Sequence, residues 1–225
     1  MERFKRYTSR MILPGFIILL LICNLPLFHG SVSSTLIFKR EMVAAGEWWR
    51  IITHLFVHVS WYHLLLDGAA VALLWREIYA GSLVKKIFVA TICGASSLAA
   101  AVWFSPYIEQ SGYCGLSGLA HGLMFFLGLS WIKQAFSGKL QGYGVDSRQL
   151  TAGIILASIS GVKSIIEVIT GSVLFSQLHM GDLGQPIVEA HLGGVMGGLV
   201  AFMILMLSGS LKMCLTIQYI KQLKI

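Results

Sequence analysis

Long apolar runs broken by short polar stretches fill most of the chain. They lie at Met11 to Phe28, His63 to Tyr79, Val84 to Phe104, Ser117 to Ile132, Leu150 to Thr170 and Ile187 to Leu207. A helix needs about 20 apolar residues to cross a hydrocarbon core roughly 30 Å thick. The pattern therefore predicts an all-α membrane protein of about six transmembrane helices. The fourth run is short: at 1.5 Å per residue it reaches only about 24 Å. Its outer end is expected below the membrane surface, met by a loop that dips inward. Non-helical backbone survives at that depth only where protein buries it or water reaches it. The tail from Lys212 to Ile225 predicts an interfacial, partly basic helix.

Composition supports the membrane class. The 225 residues are 56% hydrophobic and 12% charged, about half the charged fraction of a soluble domain; mean hydropathy is +0.76. One membrane domain over 1–225 is expected, with a core at about 11–207 and a basic tail at 208–225. The first run reads as a retained anchor, since no small-residue cleavage site follows it. A net charge of +7 can suggest nucleic acid, but the positive residues lie between apolar runs. No nucleic-acid partner is expected. Arg3, Lys5, Arg6, Arg10, Arg76, Lys85, Lys86, Lys133, Lys139, Arg148, Lys212, Lys221 and Lys224 fall on one side of the layout. Lys39, Arg40 and Arg50 fall on the other. This asymmetry puts both termini in the cytoplasm and turns the loops around Tyr107 and Met180 outward. Cys23, Cys93, Cys114 and Cys214 show no paired spacing and predict neither a disulfide framework nor a zinc site.

Polar residues in or beside apolar spans are costly, and function is their default reading. Here they are His63, Asp67, Ser117, His121, Lys163, Glu167 and His191. Ser117 stands between glycines at a helix start, in Gly115-Leu116-Ser117-Gly118. The first N–H groups of a helix lack intrahelical partners and can hold a developing oxyanion. A serine needs a base to act as a nucleophile. His191 opens the sixth run, followed on its helical face by Gly194 and Gly198. Gly118 and Gly122 are four apart on the fourth run. Small residues at this spacing let membrane helices approach closely, which would bring Ser117 to His191. No Asp obviously orients the imidazole, so the expectation is a dyad. Packing alone also accounts for such glycines.

In the first outer loop, His54 and His58 have i, i+4 spacing. No Glu or third ligand accompanies them, so no metal is expected. The preferred reading is that they, with Trp49 and Trp61, tie the loop to the bilayer surface. Lys163 and Glu167, also four apart, read as an ion pair wetted from the outer side. Contact with a substrate is the alternative.

From Glu47 to Leu207 the sequence resembles the rhomboid family of intramembrane serine proteases. Three blocks carry the resemblance, in the family's order. Trp49 to His58 matches W-R-x-x-T-H-x-x-x-H, and His63 to Asp67 follows as H-x-x-x-N with Asp67 in place of Asn. Gly115 to Gly118 matches G-x-S-G, and Ala190 to Gly198 matches A-H-x-x-G-x-x-x-G. The resemblance implies a six-helix fold with a water-filled cavity opening outward. It implies Ser117 as nucleophile, His191 as general base, and an oxyanion hole from His63, Asp67 and the backbone of Leu116 and Ser117. Substrates would be transmembrane proteins cut near the outer end of their spans, and no cofactor is implied. Tyr113 to Gly122, in a compact chain, is similar to the rhombosortase branch, linked to substrates with a C-terminal Gly-Gly sorting tail. That placement implies a bacterial inner membrane with the site facing the periplasm. His121 is a possible auxiliary, tuning the nucleophile or packing. An ionised Asp67 would repel an oxyanion, so it is expected neutral or paired with His63. Hydrolysis and transfer to an amine stay open, as does a catalytically weak relative that only binds membrane clients. That class usually lacks the Ser or the His, and both are present.

Overall fold

The computed structural model describes the backbone of residues 2–78, 83–137, 144–174 and 185–222, and side chains over a slightly narrower set. Tyr79, Lys139 and the loop around Met180 lie outside it, as do the side chains of Arg3, Lys5, Arg6, Arg10, Lys212, Lys221 and Lys224.

The described residues are mostly helical, with no strand beyond one isolated bridge. The helices are α1 (Glu2–Cys23), α2 (Arg40–Ala44), α3 (Arg50–Thr53), α4 (Trp61–Glu77), α5 (Leu83–Phe104), α6 (Ile108–Ser111), α7 (Ser117–Ser137), α8 (Ser147–Thr170) and α9 (Glu189–Gln222). Among the described residues, three helices are long and apolar enough to cross a membrane: α5, α8 and the Glu189–Gly209 part of α9. The bent pair Arg50–Phe56 and Trp61–Glu77, which turns by 99°, can count as a fourth. Their outward faces carry large exposed apolar side chains, among them Leu65, Leu73, Trp103, Ile169 and Met196. Contiguous apolar surface of this extent fits lipid, not water.

Two expectations need correction. The fourth helix, α7, is 21 residues long, about 32 Å. It runs past Ile132 through Lys133 and Gln134, polar residues at which a hydropathy boundary falls but a backbone hydrogen-bond ladder need not. Helix length alone therefore does not set Ser117 below the surface. Similarly, the segment expected as a separate interfacial helix continues α9 without a break to Gln222.

Helices α5, α7, α8 and α9 pack as the core, with α4 against α7. The α7–α9 seam is backbone on backbone. A Cβ on Gly194 would collide with the Gly118 carbonyl, and one on Gly198 with the Gly122 carbonyl. The glycine faces therefore meet as their spacing suggested. Such small-residue faces let helices close to contact where lipid supplies no hydrophobic drive.

The segment before α4 folds around Arg50. Its Nε donates to Glu47 Oε2 at 2.6 Å, and its Nη1 donates to the carbonyls of Ser34 and Ile37, both at 2.7 Å. A planar fork makes these bonds together, and an ammonium cannot. Arg50→Ala is expected to destabilise by about 2 kcal/mol, and Arg50→Lys nearly as much. The thermal midpoint in detergent measures both. A lysine variant as stable as the parent would show that the fork geometry is unimportant.

Candidate active site

Ser117 is the first residue of α7. The turn into the helix is made at Gly115, whose φ of +108° disfavours any side chain. A Cβ there would also sit 3.6 Å from Asp67 Oδ2 and 3.7 Å from His63 Cε1. The loop that leads into Ser117 thus lies directly against His63 and Asp67 of α4. Backbone bonds fix it. Gly115 N–H donates to the His54 carbonyl at 2.9 Å, and Phe38 and Tyr113 exchange N–H···O bonds at 3.0 and 2.9 Å. Tyr113 Oη also lies 2.8 Å from Ser97 Oγ on α5. This non-helical stretch is buried against the segment before α4, so its backbone groups find partners there and not in water.

His191 enters near the start of α9. Its Nε2 lies 3.1 Å from Ser117 Oγ. Its Nδ1 lies 2.7 Å from Glu167 Oε2 on α8. The expectation of a dyad rested on the lack of an obvious Asp beside this imidazole; a glutamate carboxylate lies at its Nδ1. Glu167 pairs with Lys163 at 2.6 Å as the i, i+4 spacing suggested, but its side chain is 0% exposed against 23% for Lys163. The pair is not a wet surface pair. The sequence signal was there, since a carboxylate in an apolar span must find partners. What the spacing could not reveal is that α8 lies against α9 at this height.

His121 stacks on His191 with centroids 4.2 Å apart and planes 11° from parallel. Its Nδ1 lies 2.8 Å from the Ser117 carbonyl oxygen and its Nε2 lies 3.1 Å from Lys163 Nζ. A carbonyl only accepts and an ammonium only donates. His121 is therefore neutral, with its proton on Nδ1. His121, Glu167 and His191 each place a ligand-type atom within 4.8 Å of one another. The Lys163 side chain lies against two of them, His121 and Glu167.

On the opposite side, His63 Nε2 and His58 Nε2 lie 3.3 and 3.6 Å from Asp67 Oδ2. His63, Asp67, Ser117, His121, Lys163 and His191 all line one cavity of about 500 Å³. Its remaining walls are largely apolar, including Ile37, Val59, Met124 and Ile159. Leu116 is buried and is not among the residues that line it. His54 and His58 are 1% and 0% exposed, which corrects the expectation that they anchor the loop at the bilayer surface. His54 Nδ1 bonds to the Arg50 carbonyl, and the backbone N–H of His58 donates to Asn24 Oδ1. They fill the loop from inside, whereas Trp48, Trp49 and Trp61 carry its exposed apolar face.

Residues 45–208 match the family model for the Rhomboid domain. The chain belongs to the rhomboid family. Rhomboids are serine intramembrane proteases that act on transmembrane substrates in the bilayer. A comparison with curated proteins finds no match. The matched stretch takes in α3 to most of the span in α9 and all of the polar residues of the cavity, while α1 precedes it. Membership and the apolar helices make this rhomboid an integral, multi-pass membrane protein.

Proposed function

We propose that this rhomboid is an active intramembrane serine endopeptidase with Ser117 as nucleophile and His191 as general base. The observation that carries the reading is the 3.1 Å approach of Ser117 Oγ to His191 Nε2 in a cavity shared with His63 and Asp67. Ser117 Oγ attacks the substrate carbonyl carbon as its proton passes to His191 Nε2. The oxyanion is held by the backbone N–H groups of Leu116 and Ser117, where the chain enters α7, and by His63. The C–N bond then breaks, and His191 returns the proton to the leaving amine. The acyl-enzyme is cleared by water, with His191 again as base. A regular helix hides its carbonyls, so a substrate must unwind at the cut. Gly-rich juxtamembrane segments meet that need.

The finer reading is a six-span bundle with both termini cytoplasmic and the cavity opening to the outer side of a bacterial inner membrane. The charge asymmetry between loops supports that orientation. The Tyr113 to Gly122 block supports a rhombosortase-like choice of substrates with a C-terminal Gly-Gly sorting tail. A fluorophosphonate probe tests the nucleophile without knowledge of the substrate. Wild type should be labelled and Ser117→Ala should not. Equal labelling of the two removes Ser117 from the mechanism.

Asp67 stands where the family's motif has asparagine. Two imidazole nitrogens face one of its oxygens, which supports a carboxylate paired with imidazolium rather than a bare anion beside the oxyanion. Asp67→Asn is expected to keep kcat/KM within about tenfold, since an amide is also an oxyanion donor. It should change the shape of the pH–rate profile, because a coupled titrating group is gone. Superimposable profiles would show that Asp67 does not titrate in catalysis.

A further inference from the structure

We propose that Glu167 is a positioning residue for this protease, setting the tautomer and orientation of His191, with Lys163 holding the carboxylate in place. The inference rests on the Ser117–His191 reading above. It starts from a feature that reading does not use: a carboxylate with no solvent exposure, inside a membrane helix.

Both Glu167 oxygens are committed. Oε2 lies 2.7 Å from His191 Nδ1. Oε1 accepts from Lys163 Nζ at 2.6 Å and from the Leu174 backbone N–H at 2.9 Å. Two donors on Oε1 from α8 and the residues after it leave Oε2 aimed at α9. Lys163 is held in turn by His121 Nε2, which must accept because His121 Nδ1 donates to the Ser117 carbonyl. With His191 as a neutral imidazole, one arrangement of protons satisfies every member. Lys163 donates to His121 and Glu167. His191 donates through Nδ1 to Glu167, and its Nε2 lone pair faces Ser117 Oγ. That is the tautomer a general base needs. The opposite tautomer would leave Glu167 Oε2 facing a lone pair and put a proton between His191 and the nucleophile. When His191 takes the serine proton, the imidazolium already touches a carboxylate, which Lys163 Nζ holds in place. The same logic operates where an acid supports the base of a serine protease: the acid orients and compensates without itself taking the proton.

The test compares wild type, Ser117→Ala, Glu167→Gln and Glu167→Ala as full-length protein in proteoliposomes. The substrate is a single-span peptide with a Gly-rich outer juxtamembrane segment. Glutamine keeps the volume but can present its NH₂ to Nδ1 and invert the tautomer. Glu167→Gln is expected to lower kcat on the order of 10³-fold, with KM within about threefold of wild type. Millimolar formate should restore part of the Glu167→Ala rate by refilling the vacated carboxylate position, and should do nothing for Glu167→Gln. A purely structural role would not produce that difference. A second readout needs no turnover. In ¹⁵N-histidine-labelled Ser117→Ala, the His191 Nδ1–H proton should appear as a hydrogen-bonded, downfield resonance, and adding Glu167→Gln should abolish it. If Glu167→Gln retains kcat within about threefold while Ser117→Ala is inactive, the role of Glu167 is overturned and the nucleophile assignment stands. If Ser117→Ala retains activity, the underlying reading fails instead. Should the Glu167 variants not fold, absence of the downfield resonance in folded Ser117→Ala overturns the proposal.

Discussion

Ser117→Ala is expected to abolish cleavage of a Gly-rich single-span substrate, a loss of about 10⁴- to 10⁶-fold in kcat. His191→Ala should fall to the same floor. Neither group works alone: the hydroxyl is a weak nucleophile without a base, and the imidazole has nothing to activate without the hydroxyl. Joined at 3.1 Å, they should act as a unit, so the double variant should be no worse than either single one. A quenched fluorogenic transmembrane peptide in proteoliposomes measures this. Cleavage that persists in Ser117→Ala sinks the assignment, and a double variant much worse than both singles argues against their acting together. The folded state of Ser117→Ala should be intact, because removing one hydroxyl at the cavity wall opens no buried void.

The second large effect is expected at Gly194, a residue that touches no reacting atom. A Cβ here would drive into the Gly118 carbonyl, with the Gly122 nitrogen only 3.3 Å away. Backbone cannot rotate aside as a flexible side chain can. Gly194→Val is therefore expected to destabilise by about 3 kcal/mol. Any protein that still folds should have lost about 10²-fold in kcat or more, since a shift of about 1 Å between nucleophile and base is costly. Gly15→Ala is the control, because a Cβ at Gly15 meets nothing within 4 Å and should leave both stability and activity unchanged. Thermal midpoint in detergent and kcat in proteoliposomes give the two readings. A Gly194→Val protein as stable and active as wild type would show that the helix seam is not close-packed in the working enzyme.

What could be read from the chain, and what could not, follows from the range of the forces involved. The apolar runs and the glycine spacing are local patterns tied to helix periodicity, so the α7–α9 contact was visible in Gly118, Gly122, Gly194 and Gly198. The serine between glycines likewise announced a tight turn, found at Gly115. The end of α7 was missed because hydropathy changes at Lys133 while the hydrogen-bond ladder continues to Ser137. Glu167 was seen but given only half its environment. Spacing along one helix identifies Lys163 as its neighbour, whereas His191 reaches it only through the packing of α8 on α9. His54 and His58 were placed at the bilayer surface because histidine in a Trp-rich loop often lies there. Their burial instead follows from contacts distant in sequence, Tyr113 and Gly115 against His54 and Asn24 against His58, which leave no local signature.

The seam between α7 and α9 has a mechanical consequence. Side chains adapt to lateral pressure by changing rotamer, but two backbones in contact have no such adjustment. Sliding one helix along the other would mean lifting the Gly118 and Gly122 carbonyls over Gly194 and Gly198. Serine and histidine are therefore carried on a single stiff unit. Differences in lipid thickness or curvature are then taken up by the surrounding helices, while the 3.1 Å between Ser117 Oγ and His191 Nε2 stays fixed.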